Sequence, residues 1–255
     1  MINFRKDFIV KIKKLLESNS AIHCVWEGGS AATGYLDQYS DLDLGIICDD
    51  KKVEDTFEKI EKYLQKNYGI KENFRTPEPS WHGHSQCYYL LDKTPEYFYV
   101  DILIEKLSAG NRFMEIDRHG HSIVWFDHKR LFDSTPTQEK ELAQKGKRFY
   151  KLINDSTWIL ILDVKKQILR KNTVDAFVLY YQLVNRMAYL WNLKYCPAKS
   201  DFGLRYTHRD FPEETIIWLE DKLIVKNLAE MQKKLEIIDQ KYSELLAELK
   251  AKWRE

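Results

Sequence analysis

The chain has 255 residues, with 40 basic and 39 acidic side chains for a net charge of +1, and is 44% hydrophobic, 13% aromatic and 31% charged. That length holds one large domain or two small ones, and the apolar share suffices for a real core beneath a charged surface. The balanced charge speaks against the basic surface of a polynucleotide enzyme, and no apolar run approaches the roughly 20 residues of a membrane span.

In chain order, Phe8, Ile12, Leu15 and Leu16 recur at helical spacing and predict an amphipathic helix over residues 4–17. Residues 1–6 lead into it and lack the character of a signal peptide. A strand follows over 22–26, a short helix over 30–36 and a second strand over 41–48. Helical period returns over 52–68, with Val53, Phe57, Ile60 and Leu64 on one face and Gly69 as the stop. Thr76-Pro77-Glu78-Pro79-Ser80 is a turn-rich break. Residues 86–91 and 97–104 predict a hairpin, 111–121 reads as irregular, and 123–126 as a short edge strand. Thr135-Pro136-Thr137 marks a domain boundary.

Beyond it the pattern is helical over 149–169, 175–193, 213–224 and 228–253, with Asn172 or Thr173 as the N-cap of the second helix. Residues 197–212 form a loop. The expected fold is α+β: a mixed sheet with flanking helices over residues 1–135, then a helical bundle over 136–255. Cys24, Cys48, Cys87 and Cys196 form no C-x-x-C pair, and the first two lie in apolar runs. They read as buried small hydrophobes in a reduced, cytoplasmic protein.

The chemistry concentrates in residues 26–50. Gly28-Gly29-Ser30 stands where the first strand stops and small residues begin; such a turn offers backbone N–H groups and a hydroxyl to an anion. Asp41 and Asp43 open the second strand, where alternation places both carboxylates on one face, roughly 7 Å apart. Phosphates on one side and a divalent cation on the other suit phosphoryl or nucleotidyl transfer. The plainer alternative is a Gly-rich turn beside a solvated Asp-x-Asp.

Gly29-Ser30, a spacer, then Ser40-Asp41-Leu42-Asp43-Leu44 resembles the signature of the nucleotidyltransferase superfamily with the DNA polymerase β-like fold. Within it the chain looks most like the bacterial kanamycin, lincosamide and streptomycin nucleotidyltransferases. The resemblance implies a third carboxylate on a later strand, a place that Asp101 fits. It implies two Mg²⁺ ions held by Asp41, Asp43 and Asp101, with Gly29, Ser30 and Ser40 at the triphosphate of ATP or another nucleotide. The implied reaction moves a nucleoside monophosphate, AMP foremost, to a hydroxyl of a small-molecule acceptor, such as an aminoglycoside-like antibiotic, and releases pyrophosphate. Nucleotide and acceptor would then meet between the two domains.

Ser40 reads equally as a turn cap. Lys199 and Arg205 resemble the loop from which a Lys of the helical domain reaches nucleotide phosphates in antibiotic adenylyltransferases; a solvated surface loop fits them as well. The general base is either Asp101 or a separate Glu. Glu105 lies four residues on along the same strand face, where a solvent-facing strand end is the plainer expectation. His-Gly-His-Ser occurs at 82–85 and at 119–122. His82 or His84 of the first copy could line the mouth of the site, and the second copy reads as a loop. Zinc would need further ligands that neither copy has nearby.

Leu228, Met231, Leu235, Ile238, Tyr242, Leu245 and Leu249 form a heptad stripe, either a dimer seam or a face packed within its own bundle, so monomer and homodimer both stay open. Competing functions are a protein- or tRNA-nucleotidylating factor of the toxin–antitoxin type and a nucleotide-binding module without catalysis. The near-neutral charge weighs against tRNA, and three intact carboxylates weigh against the module.

Overall fold

A computed structural model describes residues 2–254; Met1 and Glu255, the outer ends of the two expected domains, lie outside the described residues. The chain divides into two compact units, Met1–Pro136 and Thr137–Glu255. The fold is α+β, a sheet with helices in the first unit and helices alone in the second.

The first unit runs α1 (Ile2–Glu17), β1 (Ile22–Glu27), α2 (Gly29–Thr33), β2 (Leu42–Cys48), α3 (Val53–Tyr68), β3 (Ile70–Arg75), β4 (Ser85–Leu91), β5 (Tyr99–Lys106), α4 (Ile116–His119) and β6 (Ile123–Asp127). Its six strands stand in the order β3-β4-β5-β2-β1-β6. β2 and β5 are parallel and all other neighbours antiparallel. One sheet face is the core. Phe8, Ile12 and Leu16 of α1 and Phe57, Ile60 and Leu64 of α3 pack there on Leu42, Leu44 and Ile46 of β2 and Val100, Ile102 and Ile104 of β5. Because side chains alternate along a strand, Asp43, Asp101 and Glu105 are sent to the other face. Among the described residues that face carries a small apolar cluster built on Cys24, Trp26, Ile47 and Met114.

Several expected boundaries shift for local reasons. The helix expected over 30–36 is cut to α2 because Gly34 turns left-handed (φ 76). β3 has no counterpart in the sequence reading. It is an edge strand whose residues are mostly exposed, so it lacks the alternation that marks a half-buried strand. Within 111–121, read as irregular, α4 makes one turn of helix.

The second unit contains α5 (Glu139–Leu169), α6 (Thr173–Tyr195), α7 (Thr207–Asp210), α8 (Glu213–Leu223) and α9 (Leu228–Trp253). Asn172 occupies the N-cap of α6 without a side-chain cap bond; its amide donates to Gln167 instead. Asn227 does cap α9, accepting from the Glu230 N–H at 2.9 Å. The α9 stripe from Met231 to Leu249 is buried among Ile153, Ile161 and Val164 of α5 and Leu183, Val184 and Met187 of α6. Among the described residues no helix is long and apolar enough to cross a membrane.

Candidate active site

Two of the acidic side chains singled out in the sequence come together on the open face of the sheet. β2 and β5 pair in parallel with Asp43 directly beside Asp101, and adjacent strands lie about 4.8 Å apart. Asp41 stands just before β2 and acts on both by its charge. Burial first, then Asp41, raises the phenol pKa of Tyr99 on β5.

Crowding of negative charge and burial raise the carboxyl pKa values here. Burial first, then the charges of Asp41 and Asp101, push the Asp43 carboxyl up to about 7 against the pull of Arg5. Burial pushes Asp101 up to about 6, with Gln86 pulling the other way and Asp41 adding to the rise. Arg5 is the nearby cation. It pairs with the buried Glu27 of β1 and reaches the Asp41 carbonyl at 3.4 Å.

The Gly28-Gly29-Ser30 turn is docked onto Asp43. The Gly28 N–H donates to the Asp43 carbonyl at 3.0 Å. Gly29 has φ +55, and a Cβ there would lie 1.7 Å from Asp43 Oδ2. Only glycine allows the turn to lie this close to the carboxylate. Ser30 follows with its Oγ buried and without a hydrogen-bond partner, an unusual state for a buried polar atom. Ser40 is differently placed. Its hydroxyl accepts from the Asp37 N–H and donates to Asp37 Oδ1, both at 2.9 Å, closing the turn before β2.

Both His-Gly-His-Ser copies border this site. In the second, the His121 N–H donates to the Ala32 carbonyl of α2 at 2.7 Å. Gly120 (φ +81) lies so close that a Cβ would be 2.5 Å from the same oxygen. The segment read as a plain loop therefore backs the glycine turn. The first copy supports Asp101, since His82 contacts Gln86, which contacts Asp101. His82 and His84 are buried rather than set at an open mouth.

Glu105 corrects the sequence reading. Alternation does put it on the Asp101 face, but it is 0% exposed, covered by His84, Arg112 and Phe113. Four residues from Asp101 is about 13 Å of strand, so the two carboxyls do not share a site.

Lys199 and Arg205 lie in the second unit. The Lys199 ammonium is held by both oxygens of Asp210 at 2.7 and 2.8 Å. Arg205 donates to the Tyr206 hydroxyl at 2.9 Å and lies over the Phe202 and Tyr206 rings.

Residues 10–78 match the family model for polymerase β nucleotidyltransferases. The matched region holds the glycine turn, Asp41 and Asp43, and it supports nucleotidyl transfer as the general chemistry. It ends before Asp101, so the third carboxylate stands on the geometry alone. No curated protein matches the chain.

The donor set has the chemistry for a divalent cation, since carboxylate oxygens are hard ligands suited to Mg²⁺. The two raised pKa values mark negative charge that a cation would relieve. Among the described residues, no three His, Cys, Asp or Glu side chains already stand at metal-holding separation; both Asp101 oxygens face the Gln86 amide. Gln86, Arg5 and Tyr99 have no role in the sequence analysis, because each acts on a neighbour remote in sequence, which neither spacing nor periodicity displays. His82, expected at the mouth of the site, instead contacts Gln86 four residues on.

Proposed function

We propose that the protein is a nucleotidyltransferase that moves a nucleoside monophosphate, AMP from ATP foremost, to a hydroxyl of a small-molecule acceptor and releases pyrophosphate. The observation that carries this reading is the in-register pair Asp43 and Asp101, with Asp41 beside it, directly under a glycine turn that ends in an unpartnered serine hydroxyl. Gly29 and Ser30 receive the triphosphate through backbone N–H groups and the Ser30 hydroxyl. Asp41, Asp43 and Asp101 hold Mg²⁺, two ions in our reading, which neutralises phosphate charge and favours ionisation of the acceptor hydroxyl when bound. The acceptor oxygen forms a bond to the α-phosphorus as the bond to the leaving pyrophosphate breaks in line. Asp101 takes the hydroxyl proton on an oxygen that is not engaged by the metal, whereas Glu105 is too distant and buried.

For the remaining phosphate charge we propose Lys199 and then Arg205. A triphosphate would have to outcompete Asp210 for the ammonium. The near-neutral net charge favours a small acceptor, an aminoglycoside-like antibiotic among the candidates, over a polynucleotide. The test is pyrophosphate release with ATP and Mg²⁺ across a panel of hydroxyl-bearing acceptors. Acceptor-dependent release that is lost in Asp43→Asn supports the reading. ATP binding without release by any acceptor, protein and tRNA included, would leave a nucleotide-binding module in its place.

A further inference from the structure

Asp101 is gripped by the neighbouring strand. Gln86 of β4 turns its amide to it, with Nε2 2.8 Å from Oδ1 and 2.9 Å from Oδ2. A single nitrogen nearly equidistant from both oxygens sits on the edge between them, the edge by which a carboxylate chelates a cation.

The amide is itself fixed from behind. His82 Nε2 lies 3.2 Å from Gln86 Oε1. The His84 backbone N–H points at His82 Nδ1 from 3.2 Å, so Nδ1 accepts and the ring hydrogen sits on Nε2, where it donates to Gln86. Ser80 Oγ, 3.3 Å from Nδ1, adds no donor because its hydrogen goes to the His84 carbonyl at 2.6 Å. Asn111 anchors the same turn by donating to the His82 carbonyl at 3.0 Å. With Oε1 taken by His82, the Gln86 amide cannot turn over without placing an oxygen against the Asp101 carboxylate.

We infer that Gln86, locked by His82, is a positioning residue that closes the chelating edge of Asp101 and restricts it to one-oxygen coordination. The site is thereby biased toward a small octahedral cation such as Mg²⁺ over Ca²⁺. Mg²⁺ demands near-ideal octahedral geometry from a few carboxylate oxygens and waters, whereas Ca²⁺ accepts both oxygens of one carboxylate in a larger, flexible shell. An Asp101 that cannot chelate also keeps an oxygen for the acceptor proton. The inference rests on the metal-binding reading given under Proposed function.

The test uses the full chain, with Mn²⁺ as the probe by electron paramagnetic resonance and Mg²⁺ and Ca²⁺ as competitors. Gln86→Leu should shift the competition ratio about tenfold toward Ca²⁺, the size of one hydrogen bond to a charged group. His82→Phe should shift it less, in the same direction, with no further shift when added to Gln86→Leu. With Asp101→Asn already in place, Gln86→Leu should change nothing. An unchanged ratio in folded Gln86→Leu, or the same shift in the Asp101→Asn background, would overturn the role of Gln86. Should Gln86→Leu not fold, the Gln86 side-chain NH₂ signal of the wild type decides. It must exchange slowly and move on Asp101→Asn; fast exchange overturns the lock. If Mn²⁺ binds equally to wild type, Asp43→Asn and Asp101→Asn, the metal reading itself fails, and this inference with it.

Discussion

A hydroxyl with nothing to bind is a poor structural investment, and Ser30 has one, buried beside the glycine turn. Removing it strands no partner, so Ser30→Ala should leave the melting temperature unchanged or slightly raised. It should also weaken ATP·Mg²⁺ binding by about 1.5–3 kcal/mol, the range for a hydrogen bond to a charged group, read by calorimetry. Unchanged affinity in a folded variant would make the turn purely structural. Asp101→Asn tests the other side of the site. It keeps the side-chain shape while removing a charge that burial and Asp41 already disfavour. Without metal the variant should be as stable as wild type or slightly more so. It should still bind ATP at the turn and lose transfer by several orders of magnitude. Lower metal-free stability with substantial residual transfer would make Asp101 a strand residue only. The residue-scale signals legible in sequence were those with fixed spacing, Gly29-Ser30 and Asp41-x-Asp43. Gln86 and Arg5 were not, because their partners lie 15 and 22 residues away.

Alternation along β5 was legible and its environment was not. Glu105 was correctly placed on the Asp101 face, yet the loop that carries Arg112 and Phe113 covers it, and strand period says nothing about cover. The result is a sealed polar box. Glu105 lies 4.0 Å from His84 Nε2 and 3.6 Å from Arg112 Nη1, with the Phe113 backbone N–H and the Glu115 charge also acting on it. Neither Glu105 oxygen nor either His84 ring nitrogen has a regular hydrogen bond. Burial pushes Glu105 up to about 7, with Arg112 and the Phe113 N–H opposing. Burial, then His82 and Arg112, push His84 down to about 4. The two groups have opposite effects on stability. Glu105, raised from 4.5, contributes stability that is full below pH 4.5 and lost as pH rises through about 7. His84, lowered from 6.5, contributes stability present above pH 6.5 and lost as pH falls through about 4. Between about 4.5 and 6.5 the slopes oppose each other, and above 6.5 only the Glu105 loss remains. Glu105→Gln should remove that loss. Relative to wild type it should gain on the order of 2–4 kcal/mol between pH 5 and pH 8, at roughly 1.4 kcal/mol per unit. Urea unfolding across that range checks it; parallel wild-type and variant curves would show that Glu105 does not titrate there.

At the scale of the whole molecule, each unit has a core of its own. The buried residues of the second unit's apolar cluster run from Tyr150 to Trp253, and those of the first unit's clusters from Phe8 to Trp125. The chain divides into two compact units after Pro136, where turn residues interrupt the apolar pattern. What the α9 stripe packs against was not legible, since a heptad reads alike whether its partner is a neighbouring helix or a second chain. In the structure the stripe is inside the bundle. Leu235 and Ile238 are fully buried against α5 and α6, and the Tyr242 hydroxyl donates to the Ile153 carbonyl at 2.8 Å. A seam residue and a bundle-core residue respond differently to truncation. Leu235→Ala should cost about 2–5 kcal/mol, the transfer loss plus the cavity left behind. That cost should appear as earlier melting of the helical unit at every protein concentration. Circular dichroism at 222 nm, where helices dominate, follows it. The sedimentation coefficient should not change. A melting shift that shrinks as protein concentration rises, with a fall in sedimentation coefficient, would show instead that Leu235 sits on an interface between copies.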